Sequence, residues 1–194
     1  NGPLQSYFEI GLNRREQLWD GQLYERDGTF VYGQFRPTGS LYFSLSADAG
    51  EQIDFANSRL GEQLRVAPSF DWNVNRHLLM RVQHTSLRLD TLDGNKIFDA
   101  QLSDVRLTWQ FNIRSFLRFT AQRQRVERDV ELFVDDADTQ TLTMASQLLY
   151  SYKVNPQTVF FLGYSDNYVD DDGYDDLTRT GRTLFIKLGY AWAP

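Results

Sequence analysis

The chain has 194 residues, with 26 acidic and 20 basic side chains, a net charge of −6 and no cysteine. This length suffices for one domain with a sizeable core, the acidic balance gives no nucleic-acid-binding footprint, and the lack of cysteine excludes disulfides, thiolate catalysis and cysteine-ligated metal centres. No apolar run approaches the ~20 residues of a membrane-spanning helix. This excludes a helical membrane protein but not a barrel, whose alternating strands keep the mean hydropathy low.

Apolar and polar residues alternate with a period of two through most of the chain, which predicts β-strands. Helical periodicity is almost absent. The last segment is typical: Leu184, Ile186 and Leu188 alternate with a mixed set of residues, and the apolar series ends in two aromatic residues. In chain order, we predict ten strands over residues 4–14, 28–37, 39–49, 62–74, 76–90, 97–112, 114–127, 140–154, 156–168 and 181–192.

The connections fall into two classes that alternate along the chain. Short turns with Asn, Pro or Gly are predicted at 36–39, 73–76, 112–115 and 153–156. Long polar and mostly acidic connections are predicted at 47–63, 90–96, 128–140 and 169–180. Short turns at one end and long loops at the other are typical of outer-membrane barrels. The expected fold is therefore all-β, an antiparallel up-and-down transmembrane β-barrel of about ten strands, with 1–194 either one complete barrel domain or the C-terminal portion of a larger barrel.

Aromatic residues gather near the short-turn ends of the predicted strands, as they do at a membrane interface. The predicted aromatic girdle comprises Trp72, Trp109, Phe111, Phe116, Tyr150, Tyr152, Tyr190 and Trp192. The alternative is the aromatic core of a soluble sandwich, which has no reason to gather at one end. The aliphatic and aromatic residues of the same parity are predicted to face lipid, namely Leu64, Val66, Phe70, Val105, Leu107, Leu184, Ile186 and Leu188.

Charged and polar residues occupy the opposite parity of these strands. The candidates for the barrel lumen are Arg65, Asp71, Arg81, Asp104, Arg106, Arg118 and Lys187, together with Gln83 and Gln122. Unpaired charges are not buried in a dry core, but a wet lumen accommodates them. A solvated outer face of a soluble sheet would do so equally, so these residues alone do not decide between the two.

The C-terminal quarter of the chain resembles a known family. The segments YSYKVNPQTVFFLGYSDN (150–167), YSDNYVDDDGYDDLTRT (164–180) and TGRTLFIKLGYAW (180–192) resemble the end of bacterial outer-membrane proteins in which an N-terminal family-9-like carbohydrate-binding domain precedes a C-terminal β-barrel region. The resemblance covers about the last fifty residues and implies a barrel but no catalytic residues. In one respect the chain departs from outer-membrane strands, because Ala193 and Pro194 follow the terminal aromatic Trp192.

Catalytic and metal chemistry find little support in the sequence. His84 and Ser86 share one side of a strand and are the best catalytic candidates, but a polar strand end explains them better, and His77 is expected to be a polar turn residue. The acidic segment 166–176 lacks the EF-hand spacing, so a solvated loop is favoured over weak divalent-ion binding. The basic segment 123–128 could pair with lipid phosphates or with acidic loops. We predict no catalytic residues, no metal site and no cofactor.

Two hypotheses of function follow. The first is an outer-membrane β-barrel that acts as a channel, membrane anchor or component of an envelope complex and is not an enzyme. Its expected partners are outer-membrane lipid and lipopolysaccharide, the barrel-assembly machinery, and other envelope proteins or upstream barrel strands, but no nucleic acid. The alternative is a soluble envelope barrel or sandwich that binds carbohydrate or another ligand.

Overall fold

The computed structural model describes residues 3–133, 135–173 and 176–192. Ten strands form one antiparallel sheet in chain order, and each inner strand pairs with the strands before and after it in the chain. The strands are β1 Tyr7–Trp19, β2 Gln22–Thr38, β3 Leu41–Asp54, β4 Arg59–Asn73, β5 Leu78–Thr91, β6 Lys96–Asn112, β7 Ser115–Arg128, β8 Gln140–Asn155, β9 Thr158–Asp170 and β10 Thr178–Tyr190. The all-β, up-and-down architecture and the number of strands predicted from the alternation are thus confirmed.

The two ends of the sheet differ less than the sequence indicated. The predicted long connection at 47–63 is wrong, because β3 continues to Asp54, β4 begins at Arg59, and Gly50 pairs with Gln63. At the same end, β1 and β2 are joined by two residues, Asp20 and Gly21, both with positive φ. This is the geometry of a tight primed hairpin turn. The predicted long connection at 90–96 is also wrong, because only four residues separate Thr91 at the end of β5 from Lys96 at the start of β6. The connections at 129–139 and 171–177 remain long, so we call this the long-loop end and the other the short-turn end.

The two outermost strands have free edges. No ladder joins β1 to β10 within the described ranges, and each of these strands pairs on one side only. Their side chains are also highly exposed: Leu12 is 84% exposed, and Leu184 and Ile186 are each 70% exposed. Both edges consequently present backbone groups and apolar side chains that nothing in the described part of the chain covers.

The buried apolar side chains lie at the long-loop end of the sheet. They are Tyr24, Ile53, Leu89, Ile97 and Val126, each within two residues of a strand terminus. The Tyr24 hydroxyl donates to the Ser58 carbonyl oxygen, which ties the β3–β4 turn to β2. Arg59 donates from Nε to Asp54 Oδ2 at 3.0 Å and from a terminal nitrogen to the Leu132 carbonyl oxygen at 2.9 Å. This contact fastens the β7–β8 connection against the start of β4.

Two glycines lie under aromatic rings of the neighbouring strand, and the absence of a Cβ leaves room for each ring. Phe185 in β10 is paired with Gly163 in β9, and a Cβ at Gly163 would collide with the Phe185 ring. The Phe30 ring covers Gly11 in the same way. An aromatic ring over a cross-strand glycine helps to fix the register of a sheet.

We expect Gly163→Ala to destabilise the protein by about 1–3 kcal/mol, since the added methyl group forces the Phe185 ring out of its place. Gly189→Ala is the matched control, because the nearest atom to its Cβ would be the Val159 carbonyl oxygen at 3.8 Å, an ordinary contact. Urea titration of both variants measures the difference. Equal free energies of unfolding would show that the Phe185 ring does not need the glycine.

Candidate functional site

The sheet has two chemically different faces. Directly paired residues of an antiparallel ladder lie on the same face, so the pairing assigns each side chain to one of them. We call the face that includes Leu64 and Leu107 the apolar face, and the face that includes Arg65 and Arg106 the polar face. All the residues predicted to face lipid, and all the girdle residues within the strands except Phe116, share the apolar face.

Phe116 is the one predicted girdle residue on the wrong face. It pairs with Gln110, and the Arg118 guanidinium lies 5.0 Å from the centre of its ring on the polar face. The girdle assignment of Phe116 was wrong because it rested on proximity to a turn and not on strand parity. Trp192 follows the end of β10, where its ring contacts Tyr190 edge-on at 6.4 Å between centroids.

We call the band of uncharged side chains on the apolar face the apolar belt. It crosses all ten strands, and it runs obliquely to the rows of directly paired residues that cross the sheet. One row passes through the pairs Leu12–Thr29, Thr29–Ala49, Ala49–Leu64, Leu64–Arg88, Arg88–Asp99 and Asp99–Glu127. Its members have no charge on β1 to β4 and are charged on β5 to β7. The belt therefore includes this row on β1 to β4, where the next position on the same face is charged (Arg14, Asp27, Glu51 and Glu62), but it stops short of the row on β5 to β7.

A second row of paired residues, closer to the short-turn end, is uncharged on the earlier strands and charged on the last two. This row contains Phe35, Phe43, Phe70, Val82 and Val105, and it ends in Asp166 on β9 and Arg182 on β10. The charged border of the belt is therefore at Arg14 and Asp27 on the first two strands and at Asp166 and Arg182 on the last two. On β2 the two positions correspond to Asp27 and Phe35, eight residues apart.

The eight-residue shift of the charged border between the first and the last strands gives the angle between the strands and the belt. Eight residues amount to ~26 Å along a strand, and nine steps between neighbouring strands amount to ~43 Å, so the strands are inclined by ~30° from the perpendicular to the belt. On β4 the belt extends from Leu64 to Trp72, which is ~26 Å along the strand and ~23 Å across the belt at this inclination. Both values are close to the ~35–45° tilt and ~25 Å apolar band of outer-membrane barrels.

Ion pairs mark the charged border at both edges of the sheet. Arg14 donates two hydrogen bonds to the Asp27 carboxylate, both at 2.7 Å, and Arg182 Nε lies 3.3 Å from Asp166 Oδ1. Because these pairs are exposed, they contribute little to stability. They mark the end of the belt on the two outermost pairs of strands.

The polar face bears all the predicted lumen residues. Arg81 makes a bidentate contact with Asp71, at 2.7 and 2.9 Å, and Arg65 lies 3.2 Å from Asp48. Arg106 is paired in the ladder with Arg81, and Asp104 with Gln83 and Gln122. The sequence predicted the shared face of these residues, but it could not predict which of them are opposite one another.

His84 does not form the pair with Ser86 that its spacing suggested. His84 Nδ1 lies 2.9 Å from the hydroxyl of Ser103, its ladder partner on β6, and both are on the apolar face. No carboxylate bonds to His84 within the described residues, so the group that would orient a catalytic histidine is absent there. The sequence alone could not identify Ser103 as the partner of His84, because that pairing depends on the register between β5 and β6.

The acidic segment 166–176 lies partly outside the described residues, at positions 174 and 175. Asp166 to Asp170 belong to β9 and are not part of a loop. Where the structure is described, no group of three His, Cys, Asp or Glu side chains is arranged to hold a metal ion. His77 is in the β4–β5 turn, where its ring stacks on Trp109 and its Nδ1 lies 2.7 Å from the Gln110 carbonyl oxygen.

Comparison with family models, with curated proteins and with solved structures finds no match to this chain. Within the described ranges, the structure has no helix of the length and hydropathy needed to cross a membrane. The two faces of the sheet are therefore the basis for any assignment of function.

Proposed function

We propose that this chain forms the wall of an outer-membrane β-barrel that acts as a channel, anchor or component of an envelope complex. In this arrangement the apolar belt contacts lipid, the polar face lines a water-filled lumen, and the long-loop end is outside the cell. The single observation that supports the proposal most strongly is the oblique belt. Its charged border shifts in one direction across the sheet, by eight residues in total between Arg14 on β1 and Arg182 on β10, so it does not follow the hydrogen-bonded rows.

The alternative of a soluble sandwich requires a second layer over the apolar face. The extensive contacts in the described part of the chain are between neighbouring strands of the single sheet, apart from a short helical turn at Pro3–Gln5 that contacts β2. Large apolar side chains of the belt stay exposed, among them Leu64 at 51% and Leu188 at 67%. An uncovered apolar surface of this extent is a liability in water but is the normal state in lipid.

The free edges favour a barrel with more strands than these ten. In hydrocarbon, every backbone amide and carbonyl group needs a protein partner, and β1 and β10 each leave one edge unpaired in the described residues. We propose that upstream or neighbouring strands pair with these edges. Because the apolar side chains of β1 and β10 are on the same face, added strands would continue the belt.

Membrane fractionation tests the proposal. The protein should pellet with outer membranes, resist extraction by salt, and migrate faster on a gel before heating than after it, because folded barrels stay compact in detergent. Release by osmotic shock or salt would contradict the proposal and support the soluble alternative.

Topology gives a second test, because the chain has no native cysteine. Ile113→Cys places a thiol in the β6–β7 turn, where Ile113 is 94% exposed, and Leu92→Cys places one in the β5–β6 turn at the opposite end, where Leu92 is 56% exposed. A membrane-impermeant maleimide added to intact cells should label Leu92→Cys. It should label Ile113→Cys only after the outer membrane is opened, and the reverse pattern would overturn the orientation.

A further inference from the structure

Three arginines lie close together on the polar face, and we call Arg81, Arg106 and Arg118 the arginine cluster. Arg81 and Arg106 are directly opposite in the β5–β6 ladder. Arg106 is opposite Thr120 on β7, and Arg118 is two residues from Thr120 on the same face. Arg118 is therefore the diagonal neighbour of Arg106, within reach of a long side chain.

The carboxylates nearby do not balance this cluster. Asp71 is taken up by its bidentate contact with Arg81. Asp104, on the same face as Arg106, makes no ion pair in the described structure, and its Oδ1 is buried without a hydrogen-bond partner. Counting three arginines and two aspartates, the group has a net charge of +1.

Arg106 and Arg118 are only partly satisfied. Neither makes an ion pair with a described residue, and the Nε atom of each is buried without a hydrogen-bond partner. Like charges directly opposite in a ladder destabilise a sheet, and an unsatisfied charged group loses its solvation. A bound anion would relieve both costs, because the guanidinium fork matches the oxygens of carboxylate and phosphate groups.

The arginine cluster lies at the level of the middle of the apolar belt, on the other face of the sheet. The sequence neighbours of Arg81 are Met80 and Val82, and those of Arg106 are Val105 and Leu107. These four neighbours lie on the opposite face, in the apolar belt. If the belt contacts lipid, the cluster is near the middle of the membrane and faces the lumen. Rings of basic side chains at such a level select anions in pores.

We propose that the arginine cluster is a binding subsite for small anions with a carboxylate or phosphate group. This inference rests on the proposed function, since it requires a wet lumen. In a channel, the subsite would concentrate such anions at mid-height. In a closed anchor, it would bind one as a structural ligand.

Binding of inorganic phosphate to the detergent-solubilised full protein tests the inference, with sodium chloride of equal ionic strength as the reference. Phosphate should raise the temperature at which the fast-migrating folded form is lost. Arg106→Gln and Arg118→Gln should each weaken apparent phosphate binding about tenfold or more, which corresponds to the loss of a charge-assisted hydrogen bond. Arg14→Gln is the control with the same change of charge, because Arg14 is on the apolar face and pairs with Asp27.

The outcomes separate the subsite from the proposed function. If phosphate stabilises the parent and Arg14→Gln but not Arg106→Gln and Arg118→Gln, the subsite is supported. If the protein fractionates with outer membranes but phosphate stabilises it no more than chloride does, or if all variants respond equally, the subsite is overturned and the barrel remains. If the protein is extracted by salt from membranes, the proposed function itself fails, and the inference fails with it.

Discussion

Leu107→Arg is expected to destabilise the folded protein by about 2–4 kcal/mol in lipid vesicles, because it places a guanidinium group on the apolar face near the middle of the belt. Leu107 is paired with Met80 and Phe119, which are apolar residues of the same face. If the belt contacts lipid as proposed, a charge at this position has neither a partner nor water. Reversible unfolding in urea, measured in vesicles, gives the free energy directly.

Gln83→Arg is the matched control for this substitution. Gln83 is exposed on the polar face and is paired in the ladder with Asp104, which would favour a new cation. We therefore expect a small or even stabilising effect. Equal costs for Leu107→Arg and Gln83→Arg would contradict the assignment of the two faces to lipid and lumen.

Arg59→Gln is expected to cost about 1.5–3 kcal/mol, because it removes the charge-assisted hydrogen bond to the buried Asp54 carboxylate. Asp54 is only 4% exposed and would keep Asn57 as its remaining side-chain donor. The same substitution releases the Leu132 carbonyl oxygen, so the β7–β8 connection should be cut faster by protease within 129–139. The urea midpoint and the rate of cleavage are both measurable.

A second variant separates the buried charge from the loop contact. Asp54→Asn combined with Arg59→Gln should recover part of the stability but not the resistance of the loop to protease, because the neutral side chain no longer needs a cation while Leu132 stays released. Arg14→Gln, which breaks an exposed pair, should change neither measurement. If Arg59→Gln behaved like Arg14→Gln, the fastening role of Arg59 would be disproved.

The strands and their faces could be predicted from the sequence because strand parity is a local property. The alternation around Leu107 or Ile186 distinguishes one face from the other without knowledge of the neighbouring strands. The girdle assignment failed at Phe116, because there it rested on proximity to a turn and not on strand parity.

Strand ends were harder to predict, because charged residues continue the strands beyond the apolar belt. The segment from Gly50 to Asp54 is polar enough to suggest a loop, yet it pairs with β4 over its whole length. The turn at Asp20 and Gly21 was missed although Asp-Gly is a strong signal for a two-residue hairpin. The flanking residues alternate weakly there, which masked the turn.

Register between strands was beyond the reach of the sequence. The Arg81–Arg106 and His84–Ser103 pairs depend on the relative displacement of β5 and β6, and a shift of two residues would replace both pairs without changing any face. The oblique belt depends in the same way on the registers of nine strand pairs. For this reason, both the belt and the arginine cluster became visible only in the structure.

Spin-label depth measurements test the central claim most directly. Nitroxides attached to single cysteines at Leu12, Leu41 and Leu184 report their depth in a bilayer from the balance of collisions with oxygen and with a water-soluble nickel complex. Leu41 and Leu184 belong to one hydrogen-bonded row, whereas Leu12 does not. The oblique belt predicts that Leu184 and Leu12 lie at similar depth near the long-loop border, with Leu41 close to the opposite interface. Equal depths for Leu41 and Leu184, or free access of the nickel complex to all three positions, would contradict a lipid-facing belt.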